Sequence, residues 1–335
     1  MSDRAAFLKC TKEFMSIQTA ESLLFGLALG DALGWPVEFS NLTAIKQQYG
    51  ATGIQEPPDP AEYTDDTQMT IALAEGLLDA GLNAPVDEIM DAVGARFVTW
   101  LELQSDPRFR RAPGNACLAG MERYRETVNW RESGNPQYQG CGSAMRVAPL
   151  GYLYQHDPER LREIAIASSL ITHGHPAALA ASVGAAYAVK LALDGVHPEE
   201  MPRRIAAFTD GMSDDFTHAL HRIGHVAGWI NEEHGLAHLG EGWIAEEAVA
   251  LALFCAIRYP DDYTNGVRRG ANLTGDSDSV ASIAGGILGA RLGLGAIPAD
   301  WQARCENSDY IKDVAARMTA ARAAAKLDRP GAKSE

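Results

Sequence analysis

Apolar residues recur at helical spacing along most of this chain, and few stretches alternate as a strand would. Residues 19–34 carry Leu23, Leu24, Leu27 and Leu33 at that spacing, and residues 67–80 repeat it with Met69, Ile71, Leu73, Leu77 and Leu78. Residues 89–103, 158–170, 177–193, 245–258 and 279–294 behave likewise. Helical periodicity sustained over such windows specifies amphipathic helices, and helices without strands specify an all-α fold. No Pro/Ser-rich linker and no repeat of solenoid length divides the 335 residues. One domain is therefore expected over residues 14–328, with 329–335 as a frayed tail and the first dozen residues as an arm or short helix.

Composition excludes several function classes. The net charge of −15 lacks the basic footprint of a nucleic-acid binder. The most apolar stretches, 177–193 and 280–295, are interrupted by Lys190 and Arg291 and rich in small residues, so neither reads as a membrane span. The opening residues have no apolar run of the secretory kind. Five scattered cysteines without a C-x-x-C pair argue against a disulfide framework and for a reducing cytoplasm.

Two helical stretches carry glycine every fourth residue: Gly26, Gly30 and Gly34 in the first, Gly285, Gly289 and Gly293 in the second. That interval lines each set along one helix face. An interior helical glycine costs about 1 kcal/mol against alanine, so two rows imply a compensating close approach between helices.

Two acidic clusters stand in the same relation to their helices. Thr64-Asp65-Asp66-Thr67 and Asp276-Ser277-Asp278-Ser279 each combine two carboxylates with hydroxyls and run into an apolar helical stretch. Either alone reads as a capped helix start, with aspartates in the first turn favoured by the helix dipole. Brought together, their oxygen-only donors suit a hard divalent cation. Asp31 reads as a capping or buried hydrogen-bonding residue. Glu38, on the loop after Pro36, reads either as a solvated residue or as a further carboxylate closing over that cation. The glycine-punctuated stretch 140–146 permits close backbone approach to a ligand. Cys141 within it has no sequence-local partner for nucleophilic work and reads as a backbone or packing element. His173 and His175 do not suit an oxygen-rich metal set. His221 and His225, at i and i+4, read as a surface helix face.

Taken together, residues 30–38, 63–69, 142–146 and 272–279 resemble the ADP-ribosylglycohydrolases, with the motifs in family order over roughly residues 21–295. The resemblance implies an orthogonally packed all-α multi-helix bundle with a dinuclear Mg²⁺ or Mn²⁺ centre. It implies Thr64, Asp65, Asp66, Asp276, Asp278 and Ser279 as metal ligands, with the four aspartates and Glu38 as the catalytic set. Glu38 matches the family's mobile glutamate. Gly114, Asn115, Gly140, Cys141, Gly142, Ser143, Met145 and His173 match segments that line the ADP-ribose cleft. The implied reaction is hydrolysis of the ribosyl C1″ bond by a water held at the metals. Arginine-linked ADP-ribose on protein is the default substrate; an ADP-ribose-containing small molecule is the alternative partner, and a non-catalytic ADP-ribose binder the alternative role. Three positions depart from the family pattern: Ser279 stands for threonine and keeps the hydroxyl, Thr274 stands where a glycine is usual, and Cys141 replaces the commoner asparagine.

Overall fold

A computed structural model describes residues 2–327 of the chain, with side chains described for 17–325; the expected tail at 329–335 lies outside them. Seventeen α-helices follow one another among these residues. They are α1 (Ser2–Gly34), α2 (Leu42–Tyr49), α3 (Asp65–Ala80), α4 (Val86–Leu103), α5 (Asn115–Thr127) and α6 (Trp130–Ser133). Then come α7 (Ala148–Leu153), α8 (Pro158–Leu170), α9 (Pro176–Leu193), α10 (Met201–Phe208), α11 (Asp214–Val226) and α12 (Glu232–Leu239). The last are α13 (Ala245–Arg258), α14 (Tyr263–Ala271), α15 (Ser277–Leu292), α16 (Ala299–Arg304) and α17 (Ser308–Leu327). No strand occurs among the described residues, which contain three isolated bridges. The all-α expectation holds, and the helices share a single hydrophobic core. The opening segment is neither an arm nor a short helix, because α1 runs unbroken from Ser2.

The pairing of α1 with α15 is the most extensive in the molecule. A Cβ on Gly26 would stand 2.4 Å from the Gly285 carbonyl oxygen, and one on Gly30 only 2.1 Å from that of Ala281. On the other side, a Cβ on Gly289 would lie 2.2 Å from the Ser22 oxygen. The two helices thus touch backbone to backbone, which accounts for the glycine rows. Gly293 is the exception. It lies one residue past α15 with φ 79° and open space around its Cα, so it ends the helix instead of packing it.

Helix α9 is long and apolar enough to cross a membrane by length and composition, with a mean hydropathy of 1.5 over 18 residues. Its residues are 72% buried within the protein, against α7, α8, α13 and α15. That burial satisfies its apolar surface without lipid.

Candidate active site

Asp31 on α1 organises one half of the site. Its carboxylate is fully buried and accepts the Thr64 N–H at 3.0 Å, the Thr67 N–H at 3.0 Å and the Thr67 hydroxyl at 2.6 Å. The first turn of α3 is thereby tied to α1. The Thr64 hydroxyl accepts the Asp66 N–H at 3.3 Å and acts as the N-cap. Asp65 accepts the Gly114 N–H at 3.1 Å, which brings the 113–115 loop against the cluster.

The other half starts α15. Asp276 caps the helix through the Ser279 N–H, and its own N–H donates to the Glu241 carbonyl at 2.8 Å. Gly275 permits this connection: at φ 121°, a Cβ there would lie 2.1 Å from the Glu241 oxygen. Gly34, at the end of α1, presses on the same turn, since a Cβ on it would stand 2.4 Å from the Asp278 Cα.

The halves meet directly. The Ser279 hydroxyl donates to Asp66 Oδ1 at 3.3 Å across 213 residues of sequence. Glu38, Asp276 and Asp278 bring carboxylate oxygens within 4.8 Å of one another, a separation that one cation can bridge. Glu38 Oε2 and Asp66 Oδ2 are buried without a hydrogen-bond partner. Burial, followed by the charge of Asp278, pushes Asp31 up to about 7. The same two causes, with Asp276 and Asp65 added, push Glu38 up to about 11. Burial first and neighbouring charge second hold Asp65, Asp66 and Asp278 well above the carboxylate range. Asp276 is raised by burial but restrained by hydrogen bonds from Asp278, Cys141 and Ser279. No lysine or arginine lines this cleft of about 300 Å³ among the described residues. Buried carboxylates without a counter-charge are costly unless protonated or bound to a cation. Two orphaned oxygens in an all-oxygen acidic set fit a hard divalent ion.

The structure brings most of the sequence-derived residues to the cleft wall: Glu38, Asp65, Asp66, Gly114, Asn115, Gly140, Cys141, Gly142, Met145, His173, Asp276, Asp278 and Ser279. Two stand behind it. Thr64 is occupied as the N-cap, and the Ser143 hydroxyl faces α9, where it accepts from Ser182 at 2.9 Å. Cys141 does more than pack, since its thiol donates to Asp276 Oδ2 at 2.8 Å.

His173 is buried, and burial followed by the nearby Arg146 charge lowers it to about 3, so the ring is neutral. Arg146 is itself fully buried behind the wall and donates to the Gly142 and Ser168 carbonyls and to Thr172 Oγ1. Thr172 Oγ1 lies 2.8 Å from His173 Nδ1. That contact fixes the ring through Nδ1 and leaves Nε2 on the cleft side.

Sequence reasoning did not single out Phe39, Cys117 or Trp243. The Phe39 and Trp243 rings stack at the cleft mouth with centroids 5.2 Å apart, and Phe39 adopts φ 62°. Trp243 arrives by a bridge between Gly140 and Ile244, a tertiary contact with no local signal. The positive φ at Phe39 likewise has no signature in a non-glycine residue.

A family model described as ADP-ribosylglycohydrolase matches residues 17–328. The chain belongs to the ADP-ribosylglycohydrolase family. It is 27% identical over 340 residues to the mouse ADP-ribosylhydrolase ARH3, covering 87% of this chain and 88% of that protein. To the ADP-ribosylarginine hydrolase Tri1 of Serratia proteamaculans it is 24% identical, over 91% of this chain and 80% of the relative. A solved structure titled ADP-ribosylglycohydrolase-related protein complex superposes with a TM-score of 0.70 at 28% identity, covering 92% of this chain and 99% of the other. Family and relatives together support an ADP-ribosyl hydrolase.

Proposed function

We propose that this protein hydrolyses the ribosyl C1″ bond of ADP-ribosylated substrates at a centre of two Mg²⁺ or Mn²⁺ ions, with arginine-linked ADP-ribose on protein as the first substrate to test. The observation that carries this reading is the meeting of two aspartate clusters, from α3 and α15, in one cleft that no lysine or arginine lines among the described residues. The name of the Serratia relative, a hydrolase of ADP-ribosylarginine, supports the arginine linkage.

Asp65, Asp66, Asp276 and Asp278 would hold the ions with the Ser279 hydroxyl, and Thr64, which caps α3 behind the wall, would join them only through the lone pair that the Asp66 N–H leaves open. Two bound ions supply Lewis acidity at the ribose hydroxyls and lower the pKa of water. Glu38 closes the site or orients the ribose. One of the four aspartates takes the proton of the attacking water. Departure of the acceptor builds positive charge at C1″, as in glycoside hydrolysis generally, and the clustered carboxylates favour that charge. The N-terminus of α5 opens at Gly114 with no side-chain cap, so its free N–H groups suit the diphosphate. The neutral His173 presents Nε2 to the substrate as a hydrogen-bonding group.

The test is ADP-ribose release by metal-stripped protein, with and without added Mg²⁺ or Mn²⁺, from arginine-linked, serine-linked and small-molecule substrates. Release should need the metal and should slow by at least about 100-fold in Asp276→Ala, since even outer partners of metal ligands carry effects of that size. Wild-type turnover in that variant would sink the two-metal reading. Release from none of the substrates would point to a non-catalytic ADP-ribose binder.

A further inference from the structure

A second cavity of about 300 Å³ lies between α2, α12 and α14, and its charge is opposite to that of the acidic cleft. Lys46, Arg268 and Arg269 line it against a single carboxylate, Glu233, in a chain whose net charge is −15. Glu233 is taken by Lys46 at 2.5 Å. Glu232, beside it, is shared by Arg258 at 3.0 Å, Arg269 at 3.9 Å and the Tyr259 hydroxyl at 2.8 Å. Arg268 meets no carboxylate among the described residues. Its Nε donates to the Gln55 carbonyl at 2.8 Å, Nη1 lies 3.5 Å from Asn265 Oδ1, and the guanidinium stands 5.8 Å from the Trp301 ring centre. Basic residues in the last turn of a helix complement its dipole, and Arg269 does so by donating to the Asn272 carbonyl. Arg268 instead reaches away to Gln55, so helix capping does not account for its charge.

The walls around these cations are fixed. Asn272 is buried and ties the chain at Ile54 to the end of α14: it accepts the Ile54 N–H at 2.8 Å and donates to the Ile54 and Arg268 carbonyls at 2.8 and 2.7 Å. Gly53, at φ 72°, lets the turn press on that side chain, since a Cβ there would lie 1.7 Å from Asn272 Oδ1. The same turn brings Ala51 and Thr52 to the cavity, and neither N–H has a hydrogen-bond partner among the described residues. Unpaired main-chain N–H groups beside oriented guanidinium groups suit a tetrahedral oxyanion. We infer that this cavity is a second ligand site, separate from the acidic cleft, that holds the phosphate group of a small phosphorylated molecule through Arg268, Arg269 and Lys46. The guanidinium fork matches phosphate geometry, and the volume restricts the occupant to a small ligand. Its walls run on into the cleft, because α2 follows Glu38 and Phe39, and Asn272 precedes Asp276. The site stands whether or not the cleft hydrolyses ADP-ribose.

Calorimetric titration of inorganic phosphate, pyrophosphate and citrate into protein stripped of divalent ions tests the site. Without those ions the carboxylates of the acidic cleft repel an anion, so that cleft does not compete for the probe. Phosphate or pyrophosphate should bind saturably and more tightly than citrate, whose charge is carried by carboxylates. The affinity should fall by about tenfold or more in Arg268→Gln, the loss expected when a charged hydrogen-bond donor is removed, and by a smaller factor in Lys46→Gln. Lys46 is half-buried on α2, so its variant tests the site even if Arg268→Gln fails to fold. Arg203→Gln, exposed on α10 and outside the cavity, removes the same charge elsewhere and should leave the affinity unchanged. Circular dichroism and thermal melting show which variants are folded when the heats are read. No saturable binding of millimolar pyrophosphate to the wild type overturns the inference, as does an affinity unchanged in both cavity variants. An equal loss in Arg203→Gln, which would mark an effect of net charge alone, or tighter binding of citrate than of phosphate, overturns it as well.

Discussion

The two aspartate clusters look alike in the sequence, yet the fold holds them by different means. The α3 cluster hangs on a side chain: Asp31 gathers three donors from residues 64 and 67, all of them buried. The α15 cluster is held by main chain, with Gly34 against the Asp278 backbone and the Asp276 N–H on Glu241. One half is positioned by an ionisable group and so responds to protonation. The other is positioned by steric contact and responds to added volume.

The largest effect should come from breaking the side-chain half. Asp31→Ala orphans three buried donors and should cost about 3–5 kcal/mol, at about 1–3 kcal/mol per unsatisfied group with partial relief by water. Urea unfolding measures this, and a loss under about 1 kcal/mol would show that α3 is held elsewhere. The steric half should yield next. Gly30→Ala drives a Cβ to 2.1 Å from the Ala281 oxygen, an overpacking that costs about 1–3 kcal/mol. Calorimetric metal titration should show weakened binding in the same variant, because the helix that moves carries Asp276 and Asp278. An unchanged melting temperature would mean that the seam can part without cost.

Protonation should reach both halves, since Asp278 on α15 shifts with the aspartates of α1 and α3. In protein stripped of divalent ions, Asp31 goes from its ordinary 3.8 to about 7 on folding, and Asp65, Asp66 and Asp278 shift the same way. Over that window the folded chain binds more protons than the unfolded one. This stabilisation is complete below about pH 4 and lost as the pH rises through about 7. The melting temperature in EDTA should therefore fall from pH 5 to pH 8, and Mg²⁺ should restore most of it at pH 8. A melting temperature that climbs with pH in EDTA would contradict the uncompensated acidic cluster. The smallest effect belongs to the rim. Phe39→Gly removes a ring stack of about 0.5–1.5 kcal/mol but releases a positive-φ strain of similar size. Stability should change by less than about 1 kcal/mol, while KM for substrate rises; an unchanged KM would place the aromatic pair outside the substrate's reach.

Much of this was legible in the residues. The helices over 158–170 and 245–258 were read to the residue, because proline or a sharp change of pattern marks their ends. Both acidic helix starts were legible through capping chemistry. The glycine rows foretold a close helix pair, but periodicity could not distinguish Gly293, a left-handed terminator, from its packed neighbours. The site was less evenly readable. Family resemblance placed Ser143 with the cleft, whereas the turn at 141–143 directs its hydroxyl into α9. Trp243 and the thiol contact of Cys141 depend on segments more than 100 residues apart, and nothing local encodes such meetings.

The α1–α15 seam has one further consequence, concerning how this chain can change length. Each residue added to or removed from a helix turns everything beyond it by about 100°. An insertion between Gly285 and Gly289 would swing one glycine off the α1 face and put a side chain where only main chain fits. The stretch from Gly26 to Gly34 and its partner on α15 should therefore resist insertions and deletions, while a mostly exposed turn such as 105–108 is free to vary. In this architecture, new acceptors would be accommodated by loops of changing length around a pair of helices that cannot change theirs.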